Sequence, residues 1–234
     1  MVLAVHQPQY LPWLGYFDKM DRADVFVLLD TVQFEKNDWQ NRNRIKTAQG
    51  WQWLTVPVHY RFGQRIWEVQ INGRVNWGRK HRQALRTNYS GAPYWRSHRT
   101  FFEEAFSKAW DRLVDLNVYM IQYLKDALGI GTELRMASDM EETSEEPNQR
   151  LVDLCCQVGA DIYLAGAGGR SYMDGLVFQR GSIHVVFQDY QCPRYPQRFG
   201  EFEPNLSVVD VLFNCGPDAL GIIRSGGSET LVSW

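Results

Sequence analysis

The sequence predicts an α/β fold, with a mostly parallel sheet and helices on both of its faces. Short apolar runs at residues 3–5, 25–29 and 161–165 have the length and composition of buried strands. Segments with helical spacing of apolar residues precede the second and the third of these runs. Strands that alternate with helices in this way are typical of parallel sheets, because parallel neighbours need a long crossover connection.

The N-terminal segment contains the clearest strand–helix–strand unit. Residues 3–5 are predicted to form a strand that ends at His6, and the prolines that follow exclude a helix or a central strand there. A helix is predicted over residues 14–22, because apolar residues recur about one turn apart. The second strand, residues 24–30, carries Asp30 at its exit.

The rest of the chain continues this alternation after a polar and basic stretch at residues 33–50. The elements predicted next are strands at 52–58 and 66–71 and a helical insertion at 76–128, whose last helix spans 113–128. The later elements are helices at 151–158, 207–213 and 219–224 and strands at 161–165 and 183–187. We expect residues 1–234 to form one domain with the insertion inside it.

Composition excludes several classes of protein. Hydrophobic residues make up 44% and aromatic residues 14% of the chain, which excludes a disordered protein. No apolar run approaches the roughly 18 residues of a membrane span, and the N-terminus does not have the pattern of a signal peptide. The four cysteines form no CxxC pair, so we expect reduced cysteines in a cytoplasmic protein.

The net charge of −2 conceals a division between the two halves of the chain. Residues 1–100 carry 15 Lys and Arg against 7 Asp and Glu, whereas residues 101–234 carry 10 against 20. This asymmetry favours a small anionic substrate held by N-terminal residues, although two halves that complement each other would also show it. The overall negative charge and the absence of a recognised motif argue against nucleic acid as a partner.

The first candidate site lies where the first strand meets the first helix. His6, Gln7, Tyr10, Trp13 and Tyr16 occur there within one short turn. Ligands of open α/β sheets bind at the carboxyl ends of strands, and a helix N-terminus offers N–H groups to an anion. His6 is therefore a candidate general base or phosphate contact, and the alternative is a structural histidine at the strand end.

A second candidate is the basic segment 40–46. If this segment is extended, alternation places Arg42, Arg44 and Lys46 on one face, where they could hold a phosphate or a carboxylate. The alternative is a solvated basic loop. Further polar candidates for anion or substrate binding are Asp30, Gln33, Lys36 and Asn41.

Two shorter motifs add to these candidates. Lys80 and His81 place a cation and an imidazole in one helical turn, as catalytic residues or as ordinary helix surface. A glycine-rich loop follows the third apolar run, and its candidate residues are Gly166, Gly168, Gly169 and Tyr172. Glycines let a backbone approach a ligand closely, but the loop matches neither the dinucleotide nor the Walker pattern.

The motifs of several catalytic classes are missing from the sequence. No HExxH motif or cluster of His and Cys predicts a metal, and no Gly-x-Ser-x-Gly elbow predicts a serine nucleophile. The residues do not identify a cofactor.

Seven segments of the chain resemble the WbqC-like protein family. They are HQPQYLPWLGYFDKM, ADVFVLLDTVQF, QNRNRIK, WLTVPV, NWGRKH, ADIYLAGAGGRSYMD and PNLSVVDVLFNCG, which together extend over nearly the whole chain. This bacterial family is often met in gene clusters for O-antigen and other surface polysaccharides. The resemblance therefore implies a role near activated sugars or their acyl and aminoacyl decorations.

The N-terminal unit is also similar to the opening of the HIGH-type nucleotidyltransferases, which have the HUP fold. Those proteins carry His-x-Gly-His at this place, where this chain has Trp13 and Tyr16 instead of the two histidines. In nucleotidyl transfer, the positive charge that stabilises the phosphates would then have to come from other residues, such as His6, Arg42, Arg44 and Lys80. The similarity concerns topology and says little about function.

The preferred hypothesis is a transferase that moves an acyl or aminoacyl group to an amino sugar or a nucleotide-linked sugar. His6 would act as a base or phosphate contact, the basic segment would hold the anionic donor, and the aromatic residues after His6 would stack on a ring. One alternative is a HIGH-like nucleotidyltransferase or ATP-dependent ligase. The other is a non-catalytic protein that binds a sugar nucleotide.

Overall fold

The structure, a computed structural model, describes residues 1–232. The chain begins with β1 (Val2–His6), α1 (Leu14–Asp21) and β2 (Val25–Leu28). Two antiparallel pairs follow, β3 (Arg42–Thr47) with β4 (Gly50–Thr55) and β5 (Val58–His59) with β6 (Gln70–Ile71). The next elements are α2 (Trp77–Tyr89), α3 (Trp95–Ala105), α4 (Leu113–Leu128) and β7 (Glu133–Met136).

The second half of the chain alternates between helices and strands. Its elements are α5 (Pro147–Val158), β8 (Ile162–Gly166), α6 (Gly175–Arg180), β9 (His184–Tyr190), α7 (Val209–Cys215), α8 (Ala219–Ser225) and β10 (Gly227–Val232). Helix α5 begins with a proline at its first turn, where the missing N–H costs nothing, and ends at Gly159 in the left-handed conformation.

The central sheet has six strands in the order β10-β9-β8-β1-β2-β7. All neighbours are parallel except β9 and β10, which confirms the predicted mostly parallel α/β fold. The chain leaves β1 on one side to form β2 and later returns to its other side as β8. In doubly wound sheets this change of direction opens a crevice at the carboxyl ends of the two strands, here β1 and β8.

Alternating strand residues face two separate cores. Ala4, Phe26 and Leu164 belong to the larger core, which contains residues of α1 to α4, α7 and α8. Their neighbours Leu3, Val25 and Tyr163 belong to the smaller core, which contains residues of α5 and α6. Helices therefore cover both faces of the sheet, as the apolar strands require.

Helix α1 is short and unusually buried. All seven residues from Leu14 to Met20 are buried, including Asp18 and Lys19. Asp18 is paired with Arg22 at 2.9 Å, whereas Lys19 makes no ion pair with any residue from 1 to 232. A buried charge without a partner is costly, so Lys19 is the most unusual residue of this helix.

Several predicted elements differ from those observed, and the strand predicted at 52–58 is divided between β4 and β5. Residues 66–71 do not form one strand, because Glu68 accepts a hydrogen bond from the Arg65 backbone N–H and closes a 3₁₀ turn at Ile66–Glu68 before β6. Within the predicted helical insertion, α3 ends at Ala105, and residues 106–112 are not helical. The helix predicted from residue 207 begins at Val209. By contrast, α4 has the predicted bounds, and Gly129 ends it in the left-handed conformation.

Two global features can be stated for residues 1–232. None of their helices combines the length and the apolar character that crossing a membrane would need. The four cysteines, all in the described part of the chain, are free thiols.

Candidate functional site

A crevice of about 570 Å³ lies at the carboxyl ends of β1 and β8. Its walls come from the end of β1, from α1, from the loop after β8, and from the start of α5 and the end of β9. Eight of the residues predicted from the sequence line it, namely His6, Gln7, Trp13, Tyr16, Gly166, Gly168, Gly169 and Tyr172. Because these residues come from strand ends that meet at the switch point, the topology explains why they converge.

His6 is the last residue of β1 and packs its ring 4.7 Å from the ring of Tyr16. Its Nδ1 lies 3.2 Å from the Gln7 carbonyl oxygen. Since a carbonyl can only accept, this contact places the proton on Nδ1 and leaves Nε2 as an acceptor. Burial and the nearby Lys19 lower the pKa of His6 to about 3, so the imidazole is neutral at pH 7.

Lys19 lines the same crevice from α1. Its Nζ donates a hydrogen bond to the Val5 carbonyl at 2.9 Å, and no described carboxylate pairs with it. Burial lowers the pKa of Lys19 to about 7, because the charged ammonium loses its hydration without gaining a counter-charge. A large share of this amine is therefore neutral near pH 7 and able to accept a proton.

The acid next to Lys19 in sequence is held by other groups. Arg22 pairs with the Asp18 carboxylate, and Gln188 Nε2 donates to the same carboxylate at 2.6 Å. Gln188 also donates to the Gly15 carbonyl at 2.9 Å, which ties the start of α1 to β9. This network keeps α1 in place and directs Asp18 toward Arg22 and Gln188.

Aromatic side chains form the walls of the crevice. The Trp13 and Tyr190 rings meet edge to face with their centroids 5.3 Å apart. A Cβ atom at Gly15 would lie 2.4 Å from the Trp13 ring, so only glycine allows Trp13 this position. At the mouth, Tyr172 is 63% exposed, which leaves its ring available to cover a bound ligand.

The glycines of the loop after β8 have different surroundings. No atom lies within 4 Å of the position that a Cβ would take at Gly166 or Gly168. At Gly169, however, a Cβ would lie 2.8 Å from the Met173 sulfur and 3.1 Å from the Phe187 ring. Gly169 is therefore required for packing, whereas Gly168 leaves open space into which a ligand can approach the backbone.

The charged residues that line the crevice are cationic. Lys19 and Arg150 reach it, and no Asp or Glu in the described part of the chain belongs to its lining. Arg150 is held at the mouth by the Ser144 carbonyl at 3.1 Å and by the exposed Glu145 carboxylate at 3.2 Å. Within residues 1–232, no group of three or more His, Cys, Asp or Glu side chains is arranged to hold a metal ion. The lining therefore favours an anionic ligand.

Comparison with known proteins places the chain among its relatives. The WbqC-like protein family matches residues 7–222, which is most of the chain and all of the crevice lining except Val5 and His6. The chain belongs to the WbqC-like family. An uncharacterized protein of Mycobacterium tuberculosis is 40% identical over 226 residues, which cover 95% of this chain and 97% of that relative. No solved structure matches the chain.

Ten predicted residues of this WbqC-like protein lie outside the crevice lining, and the first three are Tyr10, Lys80 and His81. The Tyr10 hydroxyl and His81 Nδ1 are 2.8 Å apart in a buried pair, next to Trp77 and Phe106. Burial lowers the pKa of His81 to about 4. Lys80 is exposed on α2. A catalytic role for Lys80 or His81 stays a prediction without support from the crevice geometry.

The basic segment of the family motif QNRNRIK is also separate from the crevice. It forms β3, and its Arg42 and Arg44 lie among tryptophan rings on the β3–β4 pair. Lys46 is buried, and its ammonium donates to the Glu201 carbonyl. Gln40 connects this segment with the crevice, because its Nε2 donates to the Gln7 Oε1 at 2.7 Å.

The remaining predicted residues occupy structural or exposed positions. The Asp30 carboxylate accepts a hydrogen bond from the Ser138 N–H at 3.0 Å. Asn41 donates to the Val56 carbonyl at 3.0 Å. Gln33 and Lys36 are exposed in the loop after β2. None of the four lines the crevice.

Lys19 is the residue of this WbqC-like site that sequence reasoning missed. A signal was available, because Lys19 follows Tyr16 by three residues and Gly15 by four in the predicted helix. Side chains at these spacings share one helix face. A lysine on the face that carries Tyr16 points toward the switch point of the sheet.

Proposed function

We propose that this WbqC-like protein is a group transferase that binds a phosphate-linked sugar in the switch-point crevice and transfers an acyl or aminoacyl group to its amine or hydroxyl. The observation that carries this proposal is Lys19, a buried amine in a crevice without a carboxylate lining. The cationic lining supports an anionic substrate. The neutral fraction of the amine supports a reaction that needs a proton acceptor.

The chemical step follows from the position of the two titratable groups. As the acceptor nitrogen or oxygen attacks the acyl carbon of the donor, Lys19 Nζ takes the proton that the nucleophile loses. The bond between the acyl carbon and the leaving group breaks, and the leaving group departs with its electron pair. A base is most effective when its pKa is near the working pH, so Lys19 fits this role better than His6.

His6 has a different task in this proposal. When the acceptor is an amine, His6 Nε2 accepts a hydrogen bond from the N–H that stays on the nitrogen and orients the nucleophile, while Lys19 takes the other proton and the Gln7 carbonyl fixes the ring. Trp13, Tyr16 and Tyr172 provide ring faces and edges for a sugar or a base. Gly168 lets the loop after β8 approach the phosphate backbone-first.

The experiment is a thermal-shift comparison of the wild type with Lys19→Met and Arg150→Gln. The ligands are UDP-sugars, dTDP-amino sugars, acetyl-CoA, ATP and CTP, because a ligand that binds only the folded state raises its melting temperature. Lys108→Met is the matched control, since Lys108 is exposed and packs on Trp110 away from the crevice.

The proposal expects a shift with a nucleotide sugar or the CoA ester that both crevice variants lose and the control keeps. A shift with ATP or CTP alone would replace group transfer with nucleotidyl transfer or ligation. No shift with any of these ligands would contradict a small anionic substrate. A donor and acceptor pair found in this way then allows turnover to be measured in Lys19→Met.

A further inference from the structure

A second unusual surface lies on the β3–β4 pair. Its residues are Trp39, Arg42, Arg44, Trp51 and Trp53, which we name the tryptophan–arginine face. Trp51 and Trp53 are 42% and 37% exposed, although tryptophan is usually well covered. None of the five residues lines the crevice, and the β3–β4 pair is not part of the six-stranded sheet.

No carboxylate among residues 1–232 pairs with either arginine of this face. The Arg42 guanidinium lies 4.3 Å from the centroid of the Trp53 ring, and that of Arg44 lies 5.1 Å from the Trp51 ring. Arg44 donates one hydrogen bond, to the Asn205 carbonyl at 3.1 Å. The Arg42 side chain makes no hydrogen bond or ion pair with residues 1–232, and the buried Nε atoms of both arginines lack acceptors. Buried donors without acceptors are rare in folded proteins.

The chemistry of the face specifies the kind of ligand. A guanidinium presents parallel N–H groups that match the two oxygens of a carboxylate. Indole rings pack by dispersion against flat C–H surfaces, such as one face of a sugar ring. A ligand that combines both features is a saccharide with a carboxylate group.

We propose that the tryptophan–arginine face binds a carboxylate-bearing saccharide, as a second ligand site apart from the crevice. The carboxylate reaches the free N–H groups of Arg42, and a neighbouring sugar ring packs on the exposed part of Trp53 or Trp51. The face thereby recognises an acidic carbohydrate chain at the surface, while the crevice holds a smaller molecule.

The ring geometry argues against single-stranded nucleic acid on the same face. Consecutive bases stack on aromatic rings that present parallel platforms along a basic groove. Here the Trp39 and Trp53 rings are inclined by 49°, and the Trp51 and Trp53 rings by 82°. Two arginines are also few cations for a phosphate backbone.

The test uses trigalacturonate and its methyl ester, two ligands with the same rings that differ in charge. Isothermal titration calorimetry would measure the dissociation constant for the full-length wild type, Arg42→Gln and Trp53→Ala. Arg86→Gln is the control, because Arg86 is an exposed arginine on α2 outside the face. Melting temperatures close to that of the wild type would show that the variants are folded.

We expect trigalacturonate to bind and the ester to bind at least tenfold more weakly. Arg42→Gln and Trp53→Ala should each weaken trigalacturonate binding at least tenfold, whereas Arg86→Gln and Lys19→Met leave it unchanged. Lys19→Met separates this site from the crevice, so the failure of one proposal does not affect the other. Equal binding of the ester, tighter binding of a dT6 oligonucleotide, or binding of neither saccharide would overturn the proposal.

Discussion

The cationic side chains of the crevice and of the tryptophan–arginine face have different surroundings. Lys19 is buried, donates a hydrogen bond to one carbonyl and pairs with no carboxylate of residues 1–232, and burial lowers its pKa to about 7. Arg42 lies against an exposed indole and has free N–H groups. A guanidinium keeps its charge in almost any surroundings, whereas the charge of a lysine depends on its solvation. The crevice is therefore suited to proton transfer, and the face to holding a fixed anion.

The largest expected effect concerns the stability contribution of Lys19. The pKa of Lys19 is about 7 in the folded protein and 10.5 in the unfolded reference, so the unfolded state binds more protons between these pH values. Stability therefore rises with pH across this window, and the full penalty is present below pH 7. Lys19→Met should stabilise the protein by on the order of 5 kcal/mol at pH 6 and about 2 kcal/mol at pH 9.

Urea unfolding at pH 6 and pH 9 measures this difference. Lys108→Met, at an exposed lysine away from the crevice, is the matched control for the added methionine. An equal effect of Lys19→Met at both pH values would mean that Lys19 keeps an ordinary pKa. The contrast between a titrating lysine in the crevice and permanently charged arginines on the face would then be wrong.

The second prediction separates packing from ligand access within the crevice. Gly169→Ala should destabilise the protein by about 1–3 kcal/mol, because the added methyl would overlap Met173 and Phe187. Gly168→Ala should leave stability within about 0.5 kcal/mol, because the added methyl meets open space. Denaturant midpoints of the two variants give the comparison, and a larger loss for Gly168→Ala would contradict it.

Much of the fold could be predicted because the central strands are buried on both sides. Strands β1, β2 and β8 are short apolar runs, and α4 has a clear apolar stripe followed by Gly129. The edge strands β7 (Glu133–Met136) and β10 (Gly227–Val232) were not predicted. Strand β7 alternates polar and apolar residues over four positions only, which is too short a pattern to stand out from a loop, and β10 begins with the small and polar residues 227–230.

The crevice could be predicted in part for the same topological reason. Residues at the ends of β1 and β8 converge by the switch-point rule, which applies to His6 and Gly168 without any knowledge of side-chain contacts. The location of Arg42 could not be predicted, because it depends on how the β3–β4 pair packs beside the sheet. Within residues 1–232, Lys19 has no acidic partner because the neighbouring Asp18 carboxylate is held by Arg22 and Gln188. Gln188 is 170 residues away from Asp18 in sequence, so no local pattern predicts this contact.

The third prediction contrasts the half-buried His6 in the crevice with the buried His81 in the core. Tyr10→Phe removes the 2.8 Å hydrogen bond to His81 and leaves the imidazole nitrogen without its partner, which should cost about 1–3 kcal/mol. Ligand-induced thermal shifts in the crevice should be unchanged. Loss of those shifts in a folded Tyr10→Phe protein would place His81 in the functional site after all.

The smallest expected effect concerns the other side of the comparison. Arg42→Gln should change the free energy of unfolding by less than about 0.5 kcal/mol, because the Arg42 side chain makes no ion pair or hydrogen bond in the described chain and its indole contact is partly solvated. Denaturant unfolding at low and high salt measures this value. A destabilisation above about 1.5 kcal/mol would mean that the stacked guanidinium stabilises the β3–β4 pair. Arg42 would then have a structural role, and the face would differ from the crevice in not being a ligand site.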